Sequence, residues 1–463
     1  MKKTIVGLLL LISLHVFFLG SLKFTAWPEM LAYPYLFDNG FALFGDMIHP
    51  YPPMLTGMLS LWYSLWGYNV FALKLLTWIF IIFIDLYVYL IASKLTGNKH
   101  ISLLALLYYV LLQPFLDGNM LWFDLAFVPF LLAGTYFGIR SLTGSARWTD
   151  FALASSFISI ACLIKQTAGL FLIVFLLFIV VYSRNKKAIL SSFFPPFYFG
   201  FILLTKLSIE GSLAYFVNWV VWYPFTFWSK FPGYVQMQLR NQDILILTLL
   251  SFPVVFGVVK ARNIIIKDRT IMLVLFFLGG SFVSVYPRFS FFHFQAALCF
   301  LILLTAYFSN RSRQVRRIAL ISGILLVIGI VPRVITNDWG KETRFYGTED
   351  VNLAHRISDV STYGESVYLM GLPSSLYVYS KTLPPKPWVD NYGWYLEIPN
   401  VQQNTIAAWE LNPPEIIIWS QPKSGNWYDL GTYQPKEITK WITVNYNESG
   451  MMDEDISIWK RKN

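Results

Sequence analysis

Apolar stretches of sixteen to twenty-four residues recur along the first 335 positions of this 463-residue chain. At helical rise, roughly 20 residues cross the ~30 Å hydrocarbon core of a bilayer. Inside lipid every backbone polar group must be satisfied within the segment, so such stretches fold as helices. They fall at 4–22, 70–93, 101–116, 122–139, 149–164, 168–183, 188–205, 244–259, 271–286, 291–308 and 318–335, which predicts about eleven transmembrane helices. Charged residues make up 13% of the chain and hydrophobic ones 56%, where soluble domains carry roughly 25% charged residues. That excludes a conventional soluble enzyme, a disordered chain, collagen and a coiled coil. Neither GxGxxG nor GxxxxGK[ST] occurs, which argues against an ATP-driven pump. Cys162 and Cys299 lie inside apolar segments and form no metal or redox motif.

Charge distribution orients the bundle. With the N-terminus inside, the short inner turns carry Lys2, Lys3, Lys94, Lys99, Arg140, Arg147, Lys260, Arg262, Arg311, Arg313, Arg316 and Arg317 among others, whereas the longer outer segments are poor in Lys and Arg. The positive-inside rule then predicts a cytoplasmic N-terminus, an uncleaved first helix and, after eleven crossings, an extracytoplasmic C-terminus. The net charge of +10 is thus a topology signal, and the more acidic tail removes nucleic acid as a partner. Long outer connections fall at 23–69 and 206–243. Residues 1–335 form a transmembrane module and residues 336–463 a small α/β domain, because SVYLMG, TIAAWELNPPEIIIW, PKEITKWITVNY and ISIWKRK read as strand, helix then strand, helix, and strand. Trp219, Trp222, Tyr223 and Trp228 read as an interfacial aromatic belt.

The first outer loop holds the sharpest chemistry. Residues 24–56, FTAWPEMLAYPYLFDNGFALFGDMIHPYPPMLT, place Glu29, Asp38, Asp46 and His49 at a membrane boundary. Five prolines stiffen the segment and argue against continuous helix. A carboxylate held there can act as general base on an acceptor hydroxyl or amine. Lys165, in the turn between two apolar segments, offers a point charge suited to phosphate, and Arg288 offers a bidentate grip with His293 as hydrogen-bond donor nearby. Asp124 lies at the start of an apolar segment, where a carboxylate is a functional candidate. Asp85, deep in another, reads as a helix–helix hydrogen-bonding group.

This arrangement resembles the GT-C superfamily of membrane glycosyltransferases, which includes protein O-mannosyltransferases and aminoarabinose transferases. Glu29 stands where their first acidic motif would be, with one carboxylate in place of a pair, and Asp46-Met47-Ile48-His49-Pro50-Tyr51-Pro52-Pro53 is similar to their Asp…His-Pro-Pro stretch. Lys165-Gln166-Thr167 and Arg288…His293 extend the likeness. The resemblance implies an inverting transfer of a monosaccharide from a polyprenyl-phosphate donor at the outer face of a bacterial plasma membrane. Glu29, Asp46 or Asp38 would be the base, Lys165, Arg288 and His293 the phosphate ligands, and Asp124 and His49 further site candidates. No cofactor or metal ligand set is implied, and metal dependence, donor sugar and acceptor (protein, lipid or glycan) stay open. A transporter or flippase for a lipid-linked sugar is the alternative.

Overall fold

A computed structural model describes residues 2–143, 147–183, 185–422 and 433–462. Helices cover each of the eleven apolar segments. Six of the described helices, Lys3–Ser21, Val70–Thr96, Phe123–Ser141, Lys186–Ile209, Asn241–Ile265 and Arg313–Asp338, are long and apolar enough to cross a membrane. Lys99–Phe115, Trp148–Ile164, Gln166–Tyr182 and Arg269–Val283 are apolar but shorter. At 1.5 Å per residue they fall short of the ~30 Å core. Six of the eleven expected spans thus coincide with described helices that are long and apolar enough to cross a membrane.

Chain contacts divide the molecule into two units. The first comprises Met1–Thr25, Lys74–Leu203 and Met237–Lys341. Its central helix is Gln295–Arg311, buried on every side from Gln295 to Ser309, as a helix apolar all round must be. Close crossings set its packing. A Cβ on Gly134 would stand 2.5 Å from the Ile158 side chain, and one on Gly257 would stand 2.4 Å from the Phe308 ring, so both helix pairs meet through glycine.

The second unit comprises Ala26–Leu73, Leu204–Gln236 and Glu342–Asn463. Its four strands, β1 (Val367–Met370), β2 (Ile416–Ser420), β3 (Tyr446–Asp453) and β4 (Ile456–Arg461), form one sheet in the order β1-β2-β4-β3. β1 and β2 pair in parallel with Val367 opposite Ile416, and the other pairings are antiparallel. Both parallel strands are buried throughout most of their length, which explains their unbroken apolar runs. β3 is an exposed edge strand whose polar sequence carried no strand signal.

The loop around Asp46 is clasped to the tail. Ile48 N–H donates to the Trp388 carbonyl at 3.0 Å, and Trp388 N–H donates to the Asp46 carbonyl at 2.8 Å. Helix is not continuous over the Pro-rich segment, since residues 39–53 are non-helical, yet Glu29–Asp38 is helical through Pro34. Proline denies the carbonyl of Met30 its usual i+4 donor. The Tyr63 hydroxyl supplies one instead at 3.2 Å, so the proline is accommodated without an orphaned acceptor.

Candidate functional site

Glu29 opens the helix Glu29–Asp38, where the helix dipole favours an anion. Its side chain is nonetheless buried, with 5% of its surface exposed. The Tyr392 hydroxyl donates to Oε1 at 3.3 Å, while Oε2 has no hydrogen-bond partner among the described residues. Burial first, and the neighbouring Asp390 carboxylate second, raise the Glu29 pKa from 4.5 to about 8. Asp390 is itself buried and pushed up to about 7, although the Asn391 N–H and the Ser374 hydroxyl oppose the shift. Tyr33, one helical turn beyond Glu29, and Tyr395 border both carboxyls, and burial together with those charges keeps their phenols protonated. The result is a carboxyl pair among aromatic side chains, with one buried Glu29 oxygen unpaired among the described residues and a proton affinity suited to accepting a proton near neutral pH.

The other loop carboxylates differ in kind. Asp38 is exposed and accepts hydroxyl hydrogen bonds from Ser60 and Tyr68, each at 2.6 Å. Asp46 pairs with Lys386 at 2.9 Å, both side chains more than a third exposed. It also accepts from the Ala42 N–H. His49 is fully buried between two partners: Nδ1 lies 2.6 Å from the Tyr51 carbonyl and Nε2 lies 2.7 Å from the Thr56 hydroxyl. A carbonyl only accepts, so Nδ1 carries the proton and Nε2 accepts from Thr56. Burial lowers the His49 pKa to about 4. His49 thus serves as a neutral strut of the Pro-rich turn and leaves no ring nitrogen for a substrate.

Trp219 and Trp228, expected at an interfacial belt, are buried in the second unit with their rings against Tyr395, at centroid distances of 6.3 and 5.2 Å. Trp222 is exposed. These indoles wall the aromatic surroundings of Tyr395 and so are packing groups.

Within the first unit, three of the residues singled out from sequence meet. Asp124 sits in the first turn of Phe123–Ala126. Lys165 ends the helix Trp148–Ile164 and places Nζ 2.5 Å from Asp124 Oδ1. His293 places Nδ1 2.8 Å from Oδ2 of the same carboxylate. Asp124 therefore holds both side chains by hydrogen bonds, which fixes their positions, and its ion pair with Lys165 balances the lysine's charge. Arg288 lies half-buried in the turn after Arg269–Val283, its N–H on the Val285 carbonyl.

A second polar chain threads the same unit. His15 Nδ1 contacts both oxygens of Asp85, at 3.0 and 2.9 Å, and Nε2 faces Gln113 Oε1 at 3.0 Å. Gln113 donates to Gln295, which donates in turn to the Leu116 and Phe291 carbonyls. Asp85 is thus a helix-pairing group. No sequence signal beyond a lone His in an apolar run marked its partner. Likewise, Asp390 and Tyr392 were missed: they lie more than 350 positions from Glu29, and the hint was an acid in an aromatic, Pro-rich stretch at 384–395. Among the described residues, no group of three or more His, Cys, Asp or Glu is disposed to hold a metal ion.

Residues 49–222 match the family model of the dolichyl-phosphate-mannose-protein mannosyltransferases. No curated protein matches the sequence. Among solved structures, the apo form of ArnT from Cupriavidus metallidurans superposes with a TM-score of 0.65 at 9% identity, covering 99% of this chain and 97% of that one. The same protein bound to undecaprenyl phosphate gives 0.61 at 10% identity, covering 99% and 98%. The Archaeoglobus fulgidus oligosaccharyltransferase AglB, in complex with an inhibitory peptide and a dolichol-phosphate, gives 0.57 at 8% identity, covering 90% of this chain and 69% of that one. At such identities the likeness is one of fold. Apolar helices, a family match over residues 49–222 and a shared architecture over nearly the whole chain lead to one conclusion: this is a multi-pass membrane protein with the fold of the GT-C glycosyltransferase superfamily.

Proposed function

We propose that the chain transfers a monosaccharide from a polyprenyl-phosphate donor to an acceptor hydroxyl or amine at the outer membrane face, with inversion. The observation that carries this reading is the buried Glu29 carboxyl, with Oε2 unpaired among the described residues and a pKa raised to about 8. In the reaction, Glu29 takes the acceptor proton as the acceptor atom bonds to the anomeric carbon and the bond from that carbon to the phosphate oxygen breaks. Polyprenyl phosphate leaves with the bonding electrons. Within the first unit, Lys165 held on Asp124, with His293 on the same carboxylate, offers donor groups of the kind a lipid phosphate needs. Asp46 and Asp38 are weaker candidates for the base, because each is solvent-accessible and already partnered. The lipid phosphates named with ArnT and AglB support a donor of this chemical class. Mass analysis of surface glycans and lipids from cells with and without the gene tests the proposal. Loss of one sugar substituent, with accumulation of its polyprenyl-phosphate form, is expected. Identical glycan and lipid profiles would overturn it.

A further inference from the structure

An elongated apolar groove runs between the helices Lys99–Val110, Gln295–Arg311 and Arg313–Asp338, all in the first unit. From Arg316 to Ile328 it follows the last helix for twelve residues, ~18 Å at helical rise. That is a little over half the ~30 Å hydrocarbon thickness, the depth of one leaflet. Leu104, Leu320, Ile324 and Ile328 line it and are exposed. Glycine keeps it open midway, because a Cβ on Gly323 would stand 3.2 Å from the Tyr108 ring.

The two ends of the groove differ. One is wholly apolar. At the other, the Arg316 Nε–H donates to the Ser309 carbonyl at 3.1 Å, which anchors the guanidinium and directs its terminal nitrogens to other acceptors. The Ser309 hydroxyl beside it is buried and has no partner among the described residues, and neither has the Tyr108 hydroxyl along the wall. Arg311, Arg313 and Arg317 flank the same turn, and none of the lining side chains is acidic. A leaflet-deep apolar slot with a cation and an unsatisfied hydroxyl at one mouth matches a lipid chain carrying an anionic head.

We propose that this groove binds one anionic membrane phospholipid, an acyl chain lying along Leu320, Ile324 and Ile328 and the phosphate meeting Arg316 and the Ser309 hydroxyl. The site uses none of the residues assigned to sugar transfer, so it stands or falls independently of that activity. Delipidated protein in detergent is titrated with phosphatidylglycerol, phosphatidylcholine or inorganic phosphate and followed by native mass spectrometry. The wild type is expected to retain one phosphatidylglycerol in preference to phosphatidylcholine by about fivefold. Inorganic phosphate is expected not to displace it. Arg316→Gln, at an exposed position that spares the fold, removes the preference, whereas Arg313→Gln on the same turn keeps it. Gly323→Leu fills the slot and weakens both lipids. Unchanged retention in Arg316→Gln, or displacement by inorganic phosphate, would overturn the proposal.

Discussion

Glu29→Gln separates activity from stability in a way that tests the carboxyl pair directly. Folding raises the Glu29 pKa from 4.5 to about 8. Between those values the native state keeps a proton that the unfolded chain has released, so stability falls as pH climbs through the window. At ~1.4 kcal/mol per pH unit the native penalty above pH 8 is at most roughly 5 kcal/mol. Glutamine is isosteric and neutral and still accepts from Tyr392, so it removes the penalty while abolishing the base. The assay is thermal unfolding of wild type and variant in the same detergent between pH 5 and pH 9, read as the difference in Tm. The variant should match the wild type near pH 5 and exceed it increasingly toward pH 9, while losing sugar transfer by about 10²–10⁴-fold. A Tm difference that is flat with pH, or a variant less stable at pH 9 than at pH 5 relative to wild type, would refute the reasoning.

Other outcomes follow from the same geometry. Asp390→Asn removes the second cause of the Glu29 shift but not burial, so the acid limb of the transfer rate should move to lower pH yet stay above 4.5, as a pH–rate profile will show. Asp124→Asn strands the buried Lys165 and should cost about 3–5 kcal/mol in unfolding experiments. Adding Lys165→Met should restore much of that stability without restoring transfer. Asp46→Asn breaks an exposed pair with Lys386, worth under ~1 kcal/mol, and should leave transfer rates unchanged. His49 is neutral when folded, with its pKa lowered to about 4. The wild type therefore loses stability as pH falls from 6.5 toward 4, and His49→Asn should flatten that part of a Tm–pH curve.

The helical framework was legible because lipid allows one local solution to an apolar run, and the periodic elements of the tail declared themselves through Pro and Gly breakers. Asp124, Lys165 and His293 stood out for a related reason: charge is costly in apolar surroundings, so each ionisable group there needs a partner, and these three partner one another. What local sequence could not reveal is long-range. Asp390 and Tyr392 reach Glu29 from the far end of the chain, and the 26–73 and 204–236 segments group with the tail through contacts that no composition shift announces. Pro34 sits inside a helix because its cost depends on whether another donor arrives, and Tyr63 is that donor.

The most direct test of the central claim is transfer by the purified protein in proteoliposomes. A panel of radiolabelled undecaprenyl-phosphate monosaccharides is supplied with an envelope extract as acceptor source, and both labelled product and released undecaprenyl phosphate are quantified. Wild type should convert at least one donor, with equimolar release of undecaprenyl phosphate, and Glu29→Gln should convert it about 10²–10⁴-fold more slowly. Transfer by Glu29→Gln at the wild-type rate, or no conversion of any polyprenyl-phosphate donor by the wild type, would contradict the account.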